Sequence, residues 1–218
     1  MAAIEIDTDH RLAAVTRRVE DSDREGPYKA VVASERYASP VDDVWDAVTD
    51  ADRLARWFLP VTGELRLGGT YQLEGNAGGE VLECDPGARF LVTWVYDDNV
   101  SWVEVTLTAD GDGTRMRLVH TCHADNPFWD QYGPGAVGVG WESGMIGLAL
   151  HLATGETVDP EAFQTWSTDA EGRRFGIASA ANWGAAEVAG GEDPDVARRR
   201  ADEVASFYTT PPPEEPAG

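Results

Sequence analysis

The chain is short of sulfur, of positive charge and of uninterrupted apolar sequence. Only two cysteines occur in 218 residues, Cys84 and Cys122, each inside a strand-like stretch, so at most one disulfide could form. Such sparse usage, with no apolar N-terminal signal, points to a reducing cytoplasm and to free, buried thiols. Basic residues number 17 against 39 acidic ones, a formal charge of −22, which repels phosphate backbones and anionic headgroups unless a basic patch intervenes. The densest basic run, Arg198-Arg199-Arg200, lies in a helical pattern among Asp193, Asp195, Asp202 and Glu203, where pairing along the helix accounts for it. Nucleic acid is therefore disfavoured as a partner. The longest apolar run, Gly138 to Ala153, is glycine-rich and contains Glu142, Ser143 and His151; it reads as a buried helix, too short to span a bilayer, and no membrane partner is expected.

Several chemical motifs are missing as well. There is no nucleophile elbow, and Gly133 to Gly140, although glycine-rich, enters its helix through Pro134 and offers no lysine for a phosphate loop. His120, Cys122 and His123 invite a metal reading, but only His120 and Cys122 share a strand face. Cys84 or Asp125 would have to complete the four ligands of a structural zinc. Neither a metal nor a cofactor is expected.

What is present suits a packed core: 42% of residues are hydrophobic, enough for one domain with an appendage. Residues 1–27 are mixed and charged, with an extra strand expected from Leu12 to Val19 that would pair with Tyr28 to Tyr37. Ser39-Pro40 offers a cap and a first-turn proline for a short helix to Val48, and Asp50 caps a second over Ala51 to Trp57, which Pro60 ends. The period then changes from helical to alternating. Leu65 and Leu67 alternate with Glu64 and Arg66 and turn at Gly68-Gly69 into Tyr71 and Leu73. Further strands follow at Val81 to Cys84, Arg89 to Tyr96, Trp102 to Thr108 and Thr114 to Cys122. A run of hairpins makes an antiparallel sheet whose apolar face must be covered. The cover is the helical pattern Ala136 to Thr154, in which Gly140, Gly144 and Gly147 imply either close backbone approach or space left for a ligand. Residues 156–208 predict three more helices docked on the main domain 28–155, and residues 209–218, with Pro211-Pro212-Pro213, predict a disordered tail.

Val44-Trp45-Asp46-Ala47-Val48-Thr49, Leu54-Ala55-Arg56-Trp57-Phe58, Leu67-Gly68-Gly69-Thr70-Tyr71 and Gly140-Trp141-Glu142, in that order, resemble the Activator of Hsp90 ATPase homologue 1-like family. That family lies within the START-like, Bet v 1-like and polyketide-cyclase superfamily. The resemblance spans about residues 28–154 and implies an α+β helix-grip fold: a curved antiparallel sheet wrapped on a long C-terminal helix, here with a helical C-terminal appendage. It also implies an apolar cavity for a hydrophobic small molecule, or contact with a chaperone.

Strand alternation and the aromatic exit nominate the lining. Trp57, Phe58, Tyr71, Trp94, Tyr96, Trp102, His120, Trp141 and Met145 are the candidate ligand-binding residues, with Phe90, Val92, Met116, Leu118 and His151 around them. His120 is the sharpest, a polar residue on a face shared with Met116 and Leu118. It would be satisfied by a neighbour such as Glu104 or Tyr71, orient a ligand together with Tyr71 or Tyr96, or act as acid or base beside a carboxylate. Asp97-Asp98 reads as a turn, and Glu142 as favourable charge in the first turns of the long helix. The leading expectation is a non-catalytic or weakly catalytic domain that binds a hydrophobic small molecule. A chaperone or protein-interaction module, and a cyclase-like or hydrolytic enzyme using His120, are the alternatives; the oligomeric state is left open.

Overall fold

A computed structural model describes residues 4–210. Its frame is one eight-stranded antiparallel sheet. The strands are β1 (Thr16–Asp21), β2 (Tyr28–Tyr37), β3 (Val61–Gly63), β4 (Thr70–Leu73), β5 (Gly78–Asp85), β6 (Arg89–Tyr96), β7 (Asn99–Asp110) and β8 (Gly113–His123). They lie in the order β1-β2-β8-β7-β6-β5-β4-β3. Every neighbour except β2–β8 is consecutive in sequence, so hairpin chemistry builds nearly the whole sheet. Gly111 (φ 65°) and the left-handed Asp97 (φ 49°) close the two longest hairpins.

The helices come in two groups. Ahead of the sheet's second half lie α1 (Thr8–Ala14), α2 (Val41–Thr49) and α3 (Ala51–Leu54); after it come α4 (Pro127–Tyr132), the long α5 (Gly135–Thr154), α6 (Pro160–Thr168), α7 (Ala170–Ala189) and α8 (Pro194–Thr209). Helix α5 crosses the inner face beside β2, and α7 packs on α5 and on β1. The strands from Thr70 onward and the long helix are thus where the sequence places them.

Local departures have local causes. The stretch expected to be a strand from Leu12 begins instead inside α1, capped by the Asp7 side chain, and β1 starts only at Thr16. Two buried ion pairs pin that arrangement. Arg11 meets Glu35 on the inner face of β2, and Arg17 holds Glu142 through two hydrogen bonds of 2.6 Å. Ser39 does not cap α2; Pro40 is its N-cap, and the Ser39 carbonyl accepts a hydrogen bond from Thr114 Oγ1. The second helix is shorter than expected, closing after Leu54 with turns that carry the chain to Phe58. Leu65 and Leu67 are not strand residues. Turns bonded from Arg66 N to Glu64 O and from Gly69 N to Arg66 O break the ladder, leaving both leucines exposed, at 38% and 60%. Helix α4 has no counterpart in the sequence expectation, although Asn126-Pro127 is a cap followed by first-turn proline.

By length and composition α5 could cross a bilayer, contrary to the sequence expectation. Here much of its surface is taken up by protein. Trp183 of α7 lies against Gly138, Val204 of α8 against Gly135, and the Trp57 carbonyl against Gly147. The glycines therefore admit neighbouring helices and the Trp57-Phe58 exit rather than the sheet. The tail expected to be disordered starts inside α8, and its remaining residues, 211–218, lie outside the described residues.

Candidate functional site

Between the inner face of β4–β8 and helices α2, α3 and α5 lies a cavity of about 550 Å³. Its floor follows from register. Phe90 faces Val105 and Val92 faces Val103 across β6–β7, while Val105 faces Leu118 and Leu107 faces Met116 across β7–β8. One face of each strand is thus apolar, and the curved sheet presents these faces inward. A register shift in β5 between Val81 and Glu83 adds a bulge, which brings Cys84 rather than Glu83 into phase with Val81 and into the lining.

The walls are aromatic. Trp57 stands 5.4 Å from Phe58, Phe58 stacks at 6.1 Å and 20° on Trp141, and Trp141 lies 5.0 Å from Trp94. On the α2 side Trp45 meets Phe90 edge-on at 6.1 Å. Gly144 of α5, where an added Cβ would sit 3.5 Å from Phe58, opens space beside Met145 and Leu148. Arg66 is the one charged residue in the lining. It sits at the exposed rim, paired at 2.6 Å with Glu64.

Of the nine candidate residues, Trp57, Phe58, Tyr71, Trp94, Trp141 and Met145 line this cavity. Tyr96 does not. It shares the face of Trp94 but pairs with Asn99 at the hairpin end, past the cavity, and is 52% exposed. Trp102 does not either, because it pairs with Thr93 and Thr121 on the outer face; there it meets Tyr28 edge-on and lies under the Arg24 guanidinium at 3.7 Å. The alternation Val103, Val105, Leu107 was the sequence signal that Trp102 points outward. Trp45 was missed as a lining residue, although it belongs to the apolar stripe of α2.

His120 stands behind the wall rather than in it. Its Nδ1 accepts the Trp141 indole N–H at 3.0 Å, which leaves the ring proton on Nε2 to be donated to Ser101 Oγ at 2.8 Å. Ser101 donates onward to the Trp94 carbonyl at 2.9 Å. Burial lowers the His120 pKa to about 4, so the ring is neutral at pH 7 with both nitrogens engaged. Neither anticipated partner is used. Glu104 is on the outer face bonded to Arg89, and the Tyr71 hydroxyl donates to the Thr93 carbonyl at 2.8 Å, with burial raising its pKa. The carboxylate an acid–base pair would need is not at His120.

The remaining candidates are structural. Glu142 is buried against Arg17, turned from the cavity by that pair. His151 is buried too, and does not line the cavity. Its Nδ1 faces the Glu156 carbonyl at 2.7 Å and its Nε2 accepts from Arg53, whose guanidinium also holds Asp43. Both thiols are free; Cys84 is exposed at the rim, not buried, and burial pushes the Cys122 thiol up to about 12. Among the described residues, no three His, Cys, Asp or Glu side chains converge as metal ligands would.

Comparison with known proteins places this geometry. Residues 38–153 match the family model for Activator of Hsp90 ATPase homolog 1-like protein. The crystal structure of CalU16 from Micromonospora echinospora is 32% identical, covering 79% of this chain and 98% of its own, with a TM-score of 0.61. Its solution structure is 31% identical over 81% of this chain and 97% of its own, with a TM-score of 0.68. DynU16, a protein of the dynemicin biosynthetic locus, is 25% identical over 59% of this chain and 48% of its own, with a TM-score of 0.54. No curated protein matches the chain. The match over more than half of its length, on a sheet gripping a long helix, means that the chain belongs to the Activator of Hsp90 ATPase homologue 1-like family within the START-like and Bet v 1-like superfamily.

Proposed function

We propose that this protein binds a hydrophobic small molecule in the cavity between the sheet and α5, and does so without catalysing its conversion. The observation that carries this reading is the lining: almost wholly apolar and aromatic side chains, with Thr49 and Cys84 the small polar ones and Arg66 alone charged and already paired at the rim. Cavities of several hundred Å³ with few polar groups are the usual form of small-molecule sites. Burial of apolar ligand surface supplies the driving force, at about 25 cal/mol per Å² before the cost of immobilising the ligand. The role of His120 is then to hold Trp141 in the wall rather than to move protons. Two free thiols suit a reducing cytoplasm as the place where this happens.

Native mass spectrometry of the purified protein tests the reading. One apolar molecule per chain, carried through purification or taken up from a panel of neutral apolar compounds, is the expected result. Failure of every compound to bind would end the proposal. A second reading, contact with an Hsp90-type chaperone, is favoured by the family match itself. It predicts a changed chaperone ATPase rate on addition of this protein, and an unchanged rate counts against it.

A further inference from the structure

The polar groups around the cavity narrow what can fill it, an inference that rests on the ligand-binding reading above. Most donors among the lining side chains are engaged by the protein: Thr49 donates to the Trp45 carbonyl at 2.7 Å, Arg66 is held by Glu64, and three ring donors are taken as well. Trp57 donates to the Ala47 carbonyl at 2.8 Å, Trp141 to His120, and Tyr71 to the Thr93 carbonyl. These three side chains offer a ligand ring faces and edges, not hydrogen bonds. Trp94 and Trp45 differ. Neither Nε1–H meets a protein acceptor among the described residues, yet neither is sealed in the interior as the unpartnered indole nitrogens of Trp166 and Trp183 are, and of the two Trp94 stands in the ring cluster, 5.0 Å from Trp141. A lining residue with a reachable, unused donor can serve an acceptor on the ligand.

Charge selects further. An anionic headgroup carried into the cavity would be stripped of water with no cation to receive it, since Arg66 is exposed and held by Glu64. The −22 formal charge opposes the approach of any anion as well. Shape selects last. The linked rings of Trp57, Phe58, Trp141 and Trp94 present offset and edge-on partners to a flat ring system, an attraction beyond area burial that a saturated chain does not gain.

We propose that the cavity selects an uncharged, planar, polycyclic aromatic molecule bearing a carbonyl or ether oxygen that accepts from Trp94 Nε1, in preference to fatty acids and other anionic amphiphiles. Four probes test this by calorimetric titration of the full chain: fluorenone, fluorene, a fluorenone carboxylate and laurate. Fluorenone binds about tenfold or more tighter than laurate or the carboxylate. It binds fluorene-like but for one hydrogen bond, so its advantage over fluorene is about two- to tenfold. Trp94→Phe weakens both ligands through its smaller ring and, beyond that, removes the advantage of fluorenone over fluorene. If Trp94→Phe does not fold, the ranking of the four probes on the wild-type chain still decides the class. Laurate or the carboxylate binding as tightly as fluorenone overturns the class while leaving a ligand-binding cavity. Equal affinity for fluorenone and fluorene in the wild type overturns the Trp94 contact, and no binding by any probe overturns both this inference and the reading beneath it.

Discussion

His120 concentrates the residue-scale argument, because a neutral imidazole with both nitrogens occupied makes a specific pH prediction. The free ring titrates near 6.5 and the buried one near 4. Below pH 6.5 the unfolded chain therefore takes up a proton that the fold refuses, so the stability this ring contributes is intact above about 6.5 and lost as pH falls toward 4. The loss is on the order of 3 kcal/mol. Urea unfolding at pH 7.5 and pH 4.5 should show His120→Gln to be less stable than wild type at the higher pH but less weakened by acid. Glu35 and Glu187, whose pKa values burial raises, act in the opposite sense but equally in both proteins. Parallel acid sensitivities would contradict the assignment. That His120 mattered was legible, since it is polar on an apolar strand face. Its partners were not: Ser101 is opposite in phase to the conspicuous Trp102, and Trp141 arrives from a helix 21 residues further on.

At the scale of elements, α5 shows how one residue type can serve opposite ends. An added Cβ at Gly138 would lie 2.3 Å from the Trp183 indole, a rigid neighbour with nowhere to go, whereas at Gly144 it would meet Phe58 at an ordinary 3.5 Å. Gly138→Ala should destabilise the fold by about 1–3 kcal/mol through overpacking. Gly144→Ala should stabilise it by about 1 kcal/mol through helix propensity. Denaturation midpoints moving in the same direction for both would contradict this packing. Sequence periodicity located α5, the hairpins and the three final helices, because each repeats a local rule over many residues. It misassigned Leu65–Leu67, where two turns interrupt an alternating pattern, and it missed α1 behind Asp7, where a cap rather than a period decides.

Across the whole molecule the pieces form a single arrangement around α5. The sheet and the Trp57-Phe58 exit take one side of the helix, and α7 and α8 take the other, with Tyr208 donating to the Ala136 carbonyl at 2.7 Å. Held on both sides, α5 can present Trp141, Gly144, Met145 and Leu148 to a cavity that the protein itself leaves unfilled. The fold's outline was legible because hairpins and amphipathic helices are local. The cavity was not, since core and pocket linings have the same composition and only the assembled volume separates them.

Calorimetric titration of fluorenone into the wild-type chain and into Gly144→Leu, whose added side chain extends into the cavity, tests that volume most directly. The account predicts saturable binding of one molecule per wild-type chain, with the negative heat-capacity change of apolar burial, and about tenfold or greater weakening in a folded Gly144→Leu. No binding to the wild type, or equal affinity in the two proteins, would contradict it.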